Sequence, residues 1–164
     1  MLQLKQYHAE QTEMLPLIQG FWLSHSDEVQ TDAEALADLT QWSSEGNALY
    51  FIVAFDEVVG FLHLGSRGGA IDWLEHLYVK PEHRNKGFGS KAIACAEEIV
   101  REYSESLYIE AAARNEQAIR LYRSLGYNCL NSISIRKDFH PERFKSVRTE
   151  SLYNEPFEIR KMKQ

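Results

Sequence analysis

The stretch "VKPEHRNKGFGSK", residues 79–91, decides how the chain is read. It holds two glycines, a proline and five basic residues counting His83. An apolar run, "WLEHLYV" (73–79), leads into it, and a helical pattern, "AIACAEEIV" (92–100), follows. Pro81 has no N–H to donate, so it ends the strand. Gly87 and Gly89 open a helix whose first turn presents unpaired N–H groups and the positive end of the helix dipole. Glycines let a ligand come close to that backbone, and Arg84 and Lys86 add positive charge. The combination reads as an anion site, most naturally for phosphate. The third glycine of the dinucleotide fingerprint is absent, with Ala92 in its place, and "GFGSK" lacks the Walker spacing. Taken alone, Gly-x-Gly also fits an ordinary tight turn into a helix.

Outward from this stretch the pattern alternates strands and helices. "MLQLKQY" reads as a strand, and "AEQTEMLPLIQGFWLS" as a helix with Met14, Leu17, Ile18 and Phe21 on one face. "TDAEALADLTQWS" reads as a second helix, opened by Thr31 with Glu34 three residues on and striped by Ala35, Leu36, Leu39 and Trp42. "ALYFIVAF" and "VVGFLHLG" form a hairpin linked at "DE", and "GGAIDWLEHLYV" is a third, long strand. A helix from about Gly87 to Tyr103 precedes the strand "LYIEAAA". Asn115 opens, and Gly126 closes, the helix "NEQAIRLYRSLG". "YNCLNSISIRKDF" reads as a strand, 138–152 as a polar and basic loop or short turn, and "EPFEIRKMK" as a last strand. The order β-α-α-β-β-β-α-β-α-β-β implies one α/β (α+β) domain over residues 1–164, built on a mixed sheet. The unit around "RNKGFG" should be a parallel crossover.

The 164 residues suit one domain with a real core. There is no apolar run long enough for a membrane span and no secretory signal pattern at the start. Cys95 and Cys129 lack a paired or metal-like spacing; Cys95 reads as a small core residue, and a reducing cytoplasm is the simplest location. The net charge of −6 argues against a nucleic-acid binder. It is unevenly spread. Residues 1–76 hold 12 acids and two bases, Lys5 and Arg67, whereas residues 77–164 hold 12 acids and 16 bases. The two parts could meet a cation and an anion respectively, or could simply be solvated faces.

"RNKGFG" fits R/Q-x-x-G-x-G/A directly after a strand, and "NEQAIRLYRSLGY" begins downstream at Asn115. In this pair and in element order over essentially the whole chain, the sequence resembles the GNAT superfamily of acyl-CoA-dependent N-acyltransferases. The resemblance implies a mostly antiparallel sheet with splayed central strands and acetyl-CoA as co-substrate, with no metal. It implies that the amides of Asn85, Lys86, Gly87, Phe88, Gly89 and Ser90 hold the pyrophosphate beside Arg84 and Lys86. It also implies that Leu77, Tyr78 and Val79 pair with the pantetheine arm, with a bulge near Leu77. Asn115 would contact the cofactor, and Tyr122 would lie near the thioester sulfur. Asn85 departs from the glycine many members carry, but asparagine tolerates left-handed angles better than most residues.

Acetyl transfer needs a base for the amine, a donor for the thioester oxygen and an acid for the leaving thiolate. The resemblance makes Tyr122 the acid, although on position alone it reads as a core aromatic. Glu75 is the candidate base. It shares a strand face with Trp73 and Leu77, and apolar neighbours would raise its pKa. A rim carboxylate that binds substrate is the equal alternative. His76, on the opposite face, is the second choice of base. Asp27, Glu28 and Asp32 are candidate contacts for a small cationic amine, and Trp22 and Trp42 line the cleft or belong to the core. A protein N-terminus or lysine is a different acceptor, and a coenzyme-A-binding regulatory module without turnover a different class. The C-terminal strand "EPFEIRKMK" offers a pairing edge for a homodimer.

Overall fold

The computed structural model describes residues 1–163. The chain forms two compact units, Met1–Glu110 and Ala111 onward. The first unit runs β1 (Leu2–Gln6), α1 (Gln11–Ser26), α2 (Asp32–Trp42), β2 (Asn47–Ala54), β3 (Glu57–Gly65), β4 (Trp73–Val79), α3 (Phe88–Arg101) and β5 (Tyr108–Ile109). The second contains α4 (Glu116–Ser124), β6 (Phe144–Leu152) and β7 (Glu155–Met162). The element order is the expected α/β mixture. The main sheet is ordered β1-β2-β3-β4-β5 and is antiparallel except at the parallel β4–β5 pair, the expected crossover.

Period-2 alternation divides the sheet residues of the first unit between its two faces. Leu49, Phe51, Phe61 and Tyr78 face α1 and α2, where Met14, Leu17, Ile18, Phe21, Ala35, Leu39 and Trp42 bury. Leu36 falls outside the stripe and is 39% exposed. Ile52, Leu62 and Leu64 alternate to the other face, and α3 buries Ala92, Ile93, Ala96 and Val100. Thr31 and Glu34 form the expected capping box at the start of α2. Phe55 and Asp56, both at positive φ, make the β2–β3 turn one residue earlier than "DE".

Gly60 is required by packing. A Cβ there would lie 2.0 Å from the carbonyl oxygen of Tyr78, which is backbone and cannot rotate away. Gly60→Ala is expected to destabilise the fold by roughly 3 kcal/mol, read as a lower urea midpoint. A midpoint within error of the parent would show that β4 shifts freely.

Four expected elements are corrected. The third strand starts at Trp73, because 66–72 form turns, and β5 is only two residues long. Residues 127–139 form no strand: none of them is buried, so their β-propensity meets no sheet to pair with. Residues 144–152, read as a loop, are β6 instead. Tyr153 and Asn154 adopt positive φ and close a two-residue hairpin that pairs Leu152 with Glu155. No helix is long and apolar enough to cross a membrane among the described residues.

Candidate active site

The loop before α3 has the geometry of an anion cradle. Asn85 and Gly87 both take left-handed backbone angles, φ 59° and 77°. Gly87 is the N-cap of α3 and no side chain caps the helix. The first turn closes with Lys91 N donating to Gly87 O at 3.1 Å, so the amides of Phe88, Gly89 and Ser90 precede any intrahelical partner. A Cβ at Gly87 would meet nothing within 4 Å, so the space above the loop is open. Arg84 is partly committed. Its Nε donates to Val79 O at 2.9 Å, its Nη2 donates to Ser24 Oγ at 2.8 Å, and its guanidinium lies over the Tyr78 ring. It ties the loop to α1, and Lys86 is exposed.

Beside the loop the sheet opens. β4 pairs with β5 only at Trp73↔Tyr108 and Leu74↔Ile109, and the ladder then stops. On its other edge β4 continues along β3, pairing Leu77, Tyr78 and Val79 with Leu62, Phe61 and Gly60. The register slips between His63↔His76 and Leu64↔Leu74, which leaves Glu75 as the extra residue of a bulge. The bulge therefore lies two residues before Leu77, where it was expected. It also breaks the alternation the sequence reading assumed. Glu75 and His76 share the face of α1 and α2: a Cβ on Gly65 would touch Glu75 Cγ, and His76 packs on Trp42 and Phe21. Leu77 lies on the other face, 3.9 Å from where a Gly89 Cβ would be.

Glu75 does not sit among apolar groups. Arg67 clamps it with Nε to Oε1 at 3.0 Å and Nη2 to Oε2 at 2.9 Å, while Nη1 reaches Glu110 at 2.5 Å. The same guanidinium lies 3.9 Å from the centre of the Trp73 ring. The hydrogen bonds from Arg67 outweigh desolvation, and the carboxyl is held below its usual range. The expected raised pKa is thus reversed, because Arg67, distant in sequence, folds back onto the bulge.

His76 lies in an aromatic cluster. Trp42 stacks on it at 4.1 Å between ring centres, Phe21 meets it edge-on at 5.1 Å, and Trp22 lies 6.3 Å away. Trp42 is buried core, whereas half-buried Trp22 donates its indole N–H to Asp38 Oδ2 at 2.7 Å. Gln30 donates to the same oxygen at 2.8 Å. His63, 3% exposed, lies beside His76 with Nδ1 to Nδ1 at 2.9 Å, and its Nε2 meets Asn47 Oδ1 at 2.8 Å. Burial pushes His63 down to about 3 and His76 down to about 4, against the pull of Glu75 on both and of Asp38 on His76. Sequence reasoning missed Asn47, His63 and Arg67. The signal was present in the hairpin register, which places the lone histidine of "FLHLG" opposite His76. Of the expected acceptor contacts, Asp32 accepts from Gln19 at 2.9 Å, Asp27 ends α1 in a left-handed conformation, and Glu28 is exposed.

The second unit carries Asn115 and Tyr122. Asn115 Oδ1 accepts from Ala118 N at 3.2 Å, which caps α4, and Gly126 takes φ 99° after the helix. Tyr122 is half-buried, its ring edge-on to Tyr127 at 6.0 Å, and burial raises its phenol. A cavity of about 940 Å³ in this unit is lined by residues of the 112–114, 133–141 and 150–160 segments, and by none of the expected site residues. Arg136 and Arg160 both pair with Asp138, and Arg148 with Glu116 and Glu150. Cys95 is half-buried and Cys129 exposed.

An uncapped helix start beside a splayed, bulged strand is the arrangement the resemblance called for. Residues 13–127 match the model of the acetyltransferase (GNAT) family. The chain is a member of the GNAT acetyltransferase family. Solved structures agree on the GNAT fold. The aminoglycoside acetyltransferase AAC(6')-Iy, solved with a bisubstrate analog made from CoA and an acetylneamine, is 17% identical, with a TM-score of 0.66 over 84% of this chain and 98% of its own. The aminoglycoside acetyltransferase meta-AAC0020, from an uncultured soil metagenomic sample and solved with sisomicin, is 15% identical, with a TM-score of 0.64 over 84% and 96%. A transcriptional regulator from Bacillus halodurans C-125 is 16% identical, with a TM-score of 0.64 over 85% of this chain and 100% of its own. No curated protein matches the sequence.

Proposed function

We propose that the protein transfers an acetyl group from acetyl-CoA to the primary amine of a small cationic acceptor, by direct attack and without an acyl-enzyme. The observation that carries this reading is the pairing of the open amide loop at 85–90 with the unpaired edge of β4 beyond Leu74. The loop amides and Lys86 suit the pyrophosphate, and Leu77, Tyr78 and Val79 suit the amide-bearing pantetheine arm. The family match crosses the boundary between the two units, which supports reading the chain as one acetyltransferase domain. Tyr122 stays protonated at neutral pH because burial raises its pKa, which suits an acid for the departing thiolate. Asn115, already the α4 cap, would turn its amide nitrogen to the cofactor.

Glu75 is better suited to attracting the acceptor's ammonium group than to taking its proton, because Arg67 already donates to both of its carboxylate oxygens. Glu75 and Glu110 together outnumber Arg67 by one charge, Asp38 adds another on the α1–α2 side of the site, and half-buried Trp22 adds an aromatic ring for a cation. Aminoglycosides, the acceptors of two structural relatives, are one instance of this chemistry.

The test is thiol release from acetyl-CoA across polyamines, aminoglycosides, amino acids and peptides. Turnover confined to polycationic small molecules is expected. Turnover on peptides alone would make the protein an N-terminal or lysine acetyltransferase, and acetyl-CoA binding without turnover would make it a regulatory module. Tyr122→Phe is expected to lower kcat by at least about tenfold while acetyl-CoA affinity holds within a factor of about two. Unchanged turnover would return Tyr122 to a packing role.

A further inference from the structure

The hydrogen bonds around His63 leave only one arrangement of protons. Asn47 Nδ2 faces Gln41 O, Ser44 O, Ser44 Oγ and Glu45 O at 3.3–3.4 Å. Ser44 Oγ already donates its own hydrogen to Gln41 O, so all four are acceptors and the NH₂ end must face them. Asn47 Oδ1 is then the atom turned to His63, and it can only accept. His63 Nε2 therefore carries the hydrogen, and because the buried ring is neutral its Nδ1 is bare. That bare nitrogen, 2.9 Å from His76 Nδ1, can only accept, so His76 carries its hydrogen on Nδ1. The lone pair of neutral His76 is left on Nε2. No group among the described residues pairs with that nitrogen, and it is not among the fully buried atoms lacking partners, so it keeps some exposed surface.

We propose that Asn47 and His63 are positioning residues that fix His76 in the Nδ1–H tautomer, and that His76 Nε2 takes the proton of the acceptor amine. This rests on the acetyl-transfer reading above. The amine attacks in its neutral form: its nitrogen forms a bond to the thioester carbonyl carbon, the C–S bond breaks, and the electron pair leaves on sulfur, which takes the Tyr122 phenol proton, later replaced from solvent. The extra proton on nitrogen passes to His76 Nε2. The imidazolium keeps its Nδ1–H on His63 Nδ1 and later returns a proton to solvent. The products are the amide and free thiol of CoA. The groups facing the ring are His63 from β3, Glu75 from β4 with its partner Arg67, Asp38 and Trp42 from α2, and His25 and Phe21 from α1. Glu75 and Asp38 offset the transient positive charge, and His25, when protonated, opposes it. The bulge gives this arrangement its geometry, since without it His76 would face away from Glu75.

The first test needs no activity. Nitrogen-15 NMR of the full chain at pH 7.5 should show His63 protonated on Nε2 and His76 on Nδ1; the opposite tautomer on His76 would overturn the relay. The second test uses whichever amine the screen finds. His76→Gln should lower kcat about 100-fold with the KM for acetyl-CoA unchanged, as loss of a general base does. Asn47→Leu should lower kcat by a smaller factor and shift His76 toward a mixed tautomer in the same spectra. A His76→Gln kcat within threefold of the parent would overturn the proposal, and a loss in Glu75→Gln alone would assign the base to Glu75. Should His76→Gln fail to fold, the tautomers in the parent and in Asn47→Leu decide. Absence of turnover with every amine would instead refute the proposed function, leaving the tautomer result standing.

Discussion

Acetyl-CoA binding is expected to be lost when Gly87 becomes tryptophan, with affinity falling at least about 100-fold, or roughly 2.7 kcal/mol. Two effects act together. At φ 77° any side chain with a Cβ strains the backbone by about 1–2 kcal/mol, and relief of that strain turns the neighbouring amides away. The indole would also occupy the open space above the loop, where an added Cβ would meet nothing within 4 Å. The site depends on backbone donors that no other side chain can replace, because no side chain caps α3. Calorimetry with acetyl-CoA makes the comparison, with circular dichroism as the control for folding. Equal affinity in the variant would mean that the phosphates bind elsewhere, and no binding by the parent would remove the cofactor assignment.

The histidine pair predicts an acid-labile fold. A histidine whose pKa drops on folding binds its proton more readily in the unfolded chain, so acid favours unfolding. His63 and His76 fall from 6.5 to about 3 and about 4. Their contribution is complete above pH 6.5 and is lost progressively as pH falls from 6.5 toward those folded values. Between pH 7.5 and 5 the loss amounts to roughly 2–4 kcal/mol. Glu75 and Glu34, both lowered on folding, act in the same direction but only below the ordinary carboxylate range. The interval from 6.5 to 5 therefore isolates the histidines. Urea midpoints at pH 7.5, 6 and 5 should fall steadily, and the His63→Gln, His76→Gln double variant should flatten the trend. A constant midpoint in the parent would show that the pair is hydrated rather than buried.

The first unit was largely legible because its signals are local. Met14, Leu17, Ile18 and Phe21 announce α1 by spacing, Thr31 and Glu34 cap α2, and Gly87 marks the start of α3. The anion loop was legible for the same reason, since glycine and helix start are adjacent in sequence. What was misread depends on partners remote in the chain. The Glu75 environment depends on Arg67 and Glu110, and the facing of His76 depends on a bulge that no periodicity reveals. Residues 127–139 carry strand-like composition, yet none of them is buried. The β6–β7 hairpin was hidden because its turn uses Tyr153 and Asn154 at left-handed angles, without a glycine to mark it.

The short β4–β5 ladder makes the protein an incomplete sheet, and so links its resistance to unfolding to its co-substrate. A pantetheine arm lying along Leu77 to Val79 would take the place of the missing neighbour strand, and each tenfold rise in acetyl-CoA above its dissociation constant would add about 1.4 kcal/mol to the folded state. The amides of β4 that point into the gap would exchange with solvent in the empty protein and fall silent in the loaded one. In that sense the chain carries its own occupancy gauge, readable by hydrogen exchange without any knowledge of the acceptor.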